Sequence, residues 1–349
     1  MINKQSIYYW FFFPLLALLS VGSLTSCIYD SVLEETDMSG KSTLSIMVRG
    51  VTTNPNDGYD EYIKTLRIIG FDAKGDVVCN QLFDNDASTD DVPDFIIQGT
   101  GEDTKINITQ TLEETFQGGT CDFYFIANEK DYTVYNTQSN IQLLSNFLDE
   151  VSLNGLKNCV IAYDGKEPGA TNALPILMTT SVTSALKPGD NTINNIDLVR
   201  CFAKVQLKII DKTGSATVGE NPVLSGSYPD SYSLLDVGTY TSWTGEEGNY
   251  SVTLTMMKDG STYTSQEIYF PERLFAQGKN IEANALKFSF TLNDEPYTAA
   301  VADEKGIDFN IRRNTHYTVI ATLKKKETVT FNVMVNAWGE KTMEVPAFE

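Results

Sequence analysis

One histidine in 349 residues is the most consequential shortage in this sequence. A Ser-His or Cys-His nucleophile would have to be built on His316 alone. That residue has no flanking signature and alternates with Thr318 and Thr322, so we expect an exposed strand histidine. Cysteine is scarce too. Apart from Cys27 there are only Cys79, Cys121, Cys159 and Cys201, with no C-x-x-C pair, which argues against a metal site. Basic residues are outnumbered, 26 Lys and Arg against 46 Asp and Glu, and a net charge of −20 repels nucleic acid and anionic membrane surfaces. Gly99-Thr100-Gly101 lacks the third glycine of a dinucleotide loop, and the acidic stretch Asp84 to Asp94 lacks the glycine and closing glutamate of a calcium-binding EF loop. With 46 acids, no carboxylate pair singles itself out for catalysis. We expect no enzyme, no cofactor and no metal.

Long apolar runs are also missing, except one. Ile7 to Leu19 is nearly all aromatic and aliphatic, follows the lone cation Lys4, and is broken by Pro14, Ser20, Gly22 and Ser23 before ~20 apolar residues accumulate. This describes an export signal and not a spanning helix. Its exit, Leu24-Thr25-Ser26-Cys27, resembles the bacterial lipobox, which implies cleavage before Cys27 and lipidation of its thiol. Two or three acyl chains at ~0.8 kcal/mol per buried methylene would anchor the protein durably. Cleavage removes one lysine and no acid, leaving residues 27–349 with a net charge of −21. An even count of cysteines in an exported chain permits disulfides. Each of the four, however, lies inside an apolar run (VVCNQLF, TCDFYFIAN, NCVIAY, RCFAKV), which favours buried free thiols.

Residues 27–42 are polar and aperiodic and read as a tether. Thr43 to Val48 then alternates, with Leu44, Ile46 and Val48 on one face, and Arg49-Gly50 leads into a turn-rich loop. Further strands are expected at Leu66 to Phe71, at VVCNQLF and at Cys121 to Ala127, and a helix at Asn140 to Leu153 from apolar residues at helical spacing. A loop rich in Gly, Pro and Asn is expected over Asp164 to Asn195, interrupted by ALPILM, and places a domain boundary near 190, giving domains 43–190 and 191–349. The second half repeats one theme. Cys201 to Ile209, Tyr250 to Met256, Leu286 to Leu292, Tyr317 to Leu323 and Val329 to Ala337 all alternate with period 2, the last presenting Val329, Phe331, Val333 and Val335. Such strands separated by turn residues indicate antiparallel sandwiches, and the chain as a whole is expected to be mainly β with one or two short helices.

Several segments resemble fimbrillins, the subunits of Bacteroidetes type V fimbriae. Leu198-Val199-Arg200-Cys201-Phe202-Ala203-Lys204-Val205 is similar to their L-x-R-x-x-A-K-V strand, and Ile268-Tyr269-Phe270-Pro271-Glu272 to their Y-Y-x-P-E segment. Arg313-Asn314-Thr315-His316-Tyr317 resembles R-N-x-x-Y, and Val335-Asn336-Ala337-Trp338 their closing V-x-x-W. Phe125-Ile126-Ala127-Asn128 and Leu66 to Gly75 match more loosely.

The resemblance implies two tandem transthyretin-like, Greek-key β-sandwiches and a mechanism of strand exchange. The first strand after the tether plugs a groove. A trypsin-like or Arg-specific protease cuts behind it, and a C-terminal strand of another subunit fills the vacancy. Here the plug would be residues 43–48, the cut would fall at Arg49-Gly50, and the donor would lie in 328–345, ending near Val345. Implied partners are other copies or related fimbrial subunits, the lipoprotein export machinery, the protease, and a host or bacterial surface ligand. The implied location is the outer membrane and then the surface fimbrium. Two rival roles stand beside the shaft subunit. One is an uncleaved anchor or tip subunit. The other is a monomeric glycan-binding lipoprotein using Trp243.

Overall fold

A computed structural model describes residues 42–49, 63–85, 95–98, 105–114, 116–136, 141–142, 148, 151–162, 175–219, 221–228, 231–236, 248–276, 278–325 and 328–337. Signal, tether, Gly50, Gly99 to Gly101, Trp243, Trp338 and Val345 lie outside them. Residues Ser42 to Glu349 belong to one compact unit.

The chain begins with β1 (Thr43–Arg49), β2 (Thr65–Asp72), β3 (Val77–Asp84), β4 (Ile96–Gln98), β5 (Lys105–Thr111) and β6 (Gly119–Ala127). Short strands β7 (Val134–Asn136) and β8 (Ile141–Gln142), helix α1 (Leu153–Lys157) and β9 (Cys159–Ala162) follow. Then come β10 (Met178–Leu186), β11 (Asp190–Asp197) and β12 (Val199–Arg200). The second half holds β13 (Phe202–Asp211), β14 (Val223–Tyr228), β15 (Ser231–Ser233), β16 (Gly248–Thr253), β17 (Met256–Asp259) and β18 (Thr262–Ser265). It closes with β19 (Ile268–Pro271), β20 (Lys287–Leu292), β21 (Glu295–Ala300), β22 (Thr315–Lys325) and β23 (Thr328–Ala337).

In the first half, sheet β11-β1-β5-β4 and sheet β12-β10-β6-β2-β3 contribute to one core. The central strands β2 and β6 read as nearly unbroken apolar runs because both of their faces are covered. A small sheet, β15-β9-β7-β8, adds to the same core. Its strand β15 comes from the second half, and the strap Tyr232-Ser233-Leu234-Leu235 buries three of its four side chains there. Thr179 Oγ1 donates to Leu234 O at 3.1 Å, fixing the strap against β10.

In the second half, sheet β17-β18-β13-β22-β23, with β19 also on β13, shares a second core with sheet β16-β14-β20-β21. The alternating face Ala203, Val205, Leu207 and Ile209 is fully buried. Asn293 and Asp294, both at positive φ, form the two-residue turn that joins β20 to β21.

Three details differ from the sequence expectations. The sheets are not wholly antiparallel: β1 runs parallel to β11 and β13 parallel to β22. Where the helix is expected over Asn140 to Leu153, residues 143–147 and 149–150 lie outside the described residues, and the described ones differ. Ile141–Gln142 pairs with β7, and the helix is the short Leu153–Lys157, capped by Ser152 Oγ accepting from Gly155 N at 3.1 Å. His316 is half-buried and not exposed, because Lys204 and Asn336 stand opposite it on the two flanking strands. The four cysteines are free and buried.

The first strand as a candidate functional site

β1, the first strand among the described residues, is an interior strand of its sheet. It pairs antiparallel with β5 from Thr43↔Thr111 to Arg49↔Lys105, and parallel with β11 from Thr43↔Asp190 to Arg49↔Asp197. Leu44 and Ile46 are 0% and 2% exposed, whereas Ser45 between them faces solvent. Those two side chains account for very roughly 3–6 kcal/mol of apolar burial.

Polar contacts pin the strand's start. Ser42 O accepts from Leu112 N at 2.9 Å, and Ser42 Oγ accepts from Gly189 N at 3.1 Å. Thr43 N donates to Gly189 O at 3.3 Å, and Thr43 Oγ1 to Asp190 Oδ1 at 2.6 Å. Asn191 Nδ2 reaches Lys187 O and Gly189 O, both at 2.8 Å, and so shapes the turn that brings β11 alongside. Taking β1 away would leave two strand edges facing each other across the width of one strand, with their N–H and C=O groups unpaired.

Of the expected plug residues, Leu44 and Ile46 point into the core, and Val48 stands in register with Ile106 and Ile196. Arg49 is the last residue of β1. The expected donor residues Val329, Phe331, Val333 and Val335 lie far along the chain in β23, the outer strand of its sheet, paired antiparallel with β22. β23 is the least buried of the long strands, with no residue in the buried class. Val329, Val333 and Val335 pack partly on the second core. Phe331 is 39% exposed and meets Phe290 and Tyr297 at ring-centroid distances of 6.3 and 6.4 Å.

Reading Asp164 to Asn195 as a loop misses two strands, β10 and β11, of which β11 is the harder to see. Its two inward residues are Ile193 and Ile196, three apart, because the register with β1 slips between Ile46 and Val48 and Asn195 sits at φ 62. A period-2 test therefore passes over it. The available signal was an Asn pair beside two isoleucines, a pattern that suits a bulge.

Residues 42–200 match the family described as Major fimbrial subunit protein (FimA). This segment is similar to the fimbrial subunit family. The match starts one residue before β1 and ends with β12. The fold extends the likeness beyond it. A fimbrial assembly protein from Parabacteroides distasonis superposes with a TM-score of 0.51 at 13% identity, covering 85% of this chain and 99% of that one. A candidate cell adhesion protein from the same species does so with a TM-score of 0.51 at 13% identity, covering 86% and 99%. No curated protein matches the chain significantly in sequence. The fimbrial subunit family is one of structural proteins of the cell surface.

Proposed function

We propose that this protein is a polymerising subunit of a surface fimbria, exported as a lipoprotein acylated at Cys27 and carried to the outer membrane. β1 is its removable plug: a protease with trypsin-like or arginine specificity cuts after Arg49, and a C-terminal strand of another copy or a related subunit takes the vacated position. The observation that carries this reading is the insertion of β1 between β11 and β5, paired with both. A first strand that occupies an interior position and can be cut free behind its end is what strand replacement requires. Covalent connection gives β1 an effective concentration in the ~mM range, so cutting must precede exchange. On this reading residues 43–190 and 191–349 act as two domains, with the donor within 328–345. β23 would leave β22 to serve as that donor, and its shallow burial suits departure.

A reversible lock tests the reading. Ser45 and Thr109 lie opposite each other on β1 and β5, and both face solvent. Under oxidising conditions a S45C/T109C disulfide should hold β1 after cleavage and abolish protease-resistant ladders on unboiled gels; reductant should restore them. Ladders that form with the disulfide intact would refute β1 exchange. N-terminal sequencing of surface material should begin at Gly50; a start only at Cys27 would identify an uncleaved anchor.

A further inference from the structure

A cleft of about 450 Å³ opens where β6, β10, the end of α1 and the strap meet. That lies within the ~300–1,000 Å³ usual for small-molecule sites. Its lining mixes polar and apolar groups: Lys157, Thr180, Ser181 and Asp236 beside Tyr124, Val199 and Leu235. The topology explains the opening. Tyr124 and Ser181 stand opposite each other on β6 and β10. β12 pairs with β10 only at Met178 and Thr179, so Thr180 and Ser181 begin an uncovered stretch of edge among the described residues. The Thr179 hydroxyl is engaged by Leu234 O at 3.1 Å and forms the closed end.

Lys157 and Asp236 are both exposed at the cleft, one cation and one anion. An anionic ligand would meet Asp236 and a chain of net charge −20; a cationic one would meet Lys157. A neutral polyol suits both. Its hydroxyls donate to the Asp236 carboxylate and accept from the Lys157 ammonium, while Ser181 and Thr180 do either. Only the edges of the Tyr124 ring and the Leu235 side chain, 6% and 7% exposed, reach the cleft, and with Val199 they form the apolar floor that the C–H face of a pyranose would meet. We propose that this cleft binds one neutral sugar residue of a glycan chain. The site is separate from β1 and does not depend on strand exchange.

The test is binding of purified protein to an array of neutral hexose and N-acetylhexosamine oligosaccharides, with uronic-acid oligosaccharides as the anionic arm, followed by titration. Neutral oligosaccharides should bind; Asp236→Asn should weaken binding about tenfold and Lys157→Ala about threefold. Ser181→Leu, an exposed substitution that fills the cleft, should abolish it without altering the unfolding midpoint. Absence of neutral-glycan binding at millimolar concentration would overturn the proposal. So would binding unchanged by Ser181→Leu, or binding confined to the anionic arm. Ladder formation, measured in parallel, should be unaffected by all three variants.

Discussion

Arg313 donates to Glu272 through Nε at 2.9 Å and Nη2 at 2.6 Å, and the same guanidinium reaches Ser233 O at 2.8 Å and Leu234 O at 3.3 Å. It stands just before β22, Glu272 just after β19, and the two carbonyls belong to the strap that enters the first core. One side chain therefore ties three segments together where the two cores meet. Removing either partner strands a buried charge. Arg313→Met and Glu272→Met should each lower the unfolding free energy by ~3–5 kcal/mol, and the double variant by less than their sum, in a urea double-mutant cycle.

Truncating the buried face of β1 should loosen the plug. Leu44→Ala or Ile46→Ala should cost ~2–5 kcal/mol in urea unfolding, whereas Ser45→Ala should stay within ~0.5 kcal/mol. After proteolysis, the first two variants should also incorporate a synthetic donor peptide faster.

Gly70 has no room for a methyl group. A Cβ there would lie 2.6 Å from Phe123 Cε1 and 2.9 Å from Val78 Cγ2, both in the packed interior. Gly70→Ala should destabilise by ~1–3 kcal/mol, read as a lower urea midpoint with an unchanged slope.

Asp211 gives the stability a pH dependence of known sign. Burial pushes its carboxyl up, but hydrogen bonds from Thr213 Oγ1 and from the main-chain N–H groups of Ala216, Thr213 and Gly214 outweigh it and hold the value below 3.8. A depressed folded value means stability present above the unfolded value of ~3.9 and lost as pH falls through the folded one. Asp303 and Asp308 shift in the same direction. Urea midpoints should fall between pH 5 and pH 2.5, and Asp211→Asn should flatten that fall while lowering the midpoint at pH 5.

The thiols should be inert while the protein is folded. Burial pushes Cys79 and Cys159 up to about 12 and raises Cys121 and Cys201 as well. Since only the thiolate attacks, a disulfide reagent at pH 8 should label none of these four in native protein and all four in denaturant.

Much of this molecule was readable from local pattern. Strict alternation marks one buried face, and so β13, β20 and β22 stood out, as did the short apolar start of β1; β23 alternates too, yet its apolar face is only half-covered and Phe331 is exposed. The composite-face strands β2 and β6 were visible as apolar runs, and the apolar setting of the four cysteines matched their burial. Of the helix expected at 140–153, the described residues show Ile141 and Gln142 in a strand and Leu148 and Val151 buried, because apolar residues three and four apart mark burial without fixing helical backbone.

Local order thus determined many of the strands and the face that most of them bury. Tertiary structure alone decided the partners. The parallel neighbours β1 and β11 lie 147 positions apart in sequence at Thr43↔Asp190, and nothing in either strand encodes the other's address. The strap's return to the first core and the uncovered edge at Thr180 arise in the same way. Side-chain alternation is dictated by the geometry of one strand, but pairing depends on the shape left by the rest of the chain, and only the folded sheet makes β1 an interior strand.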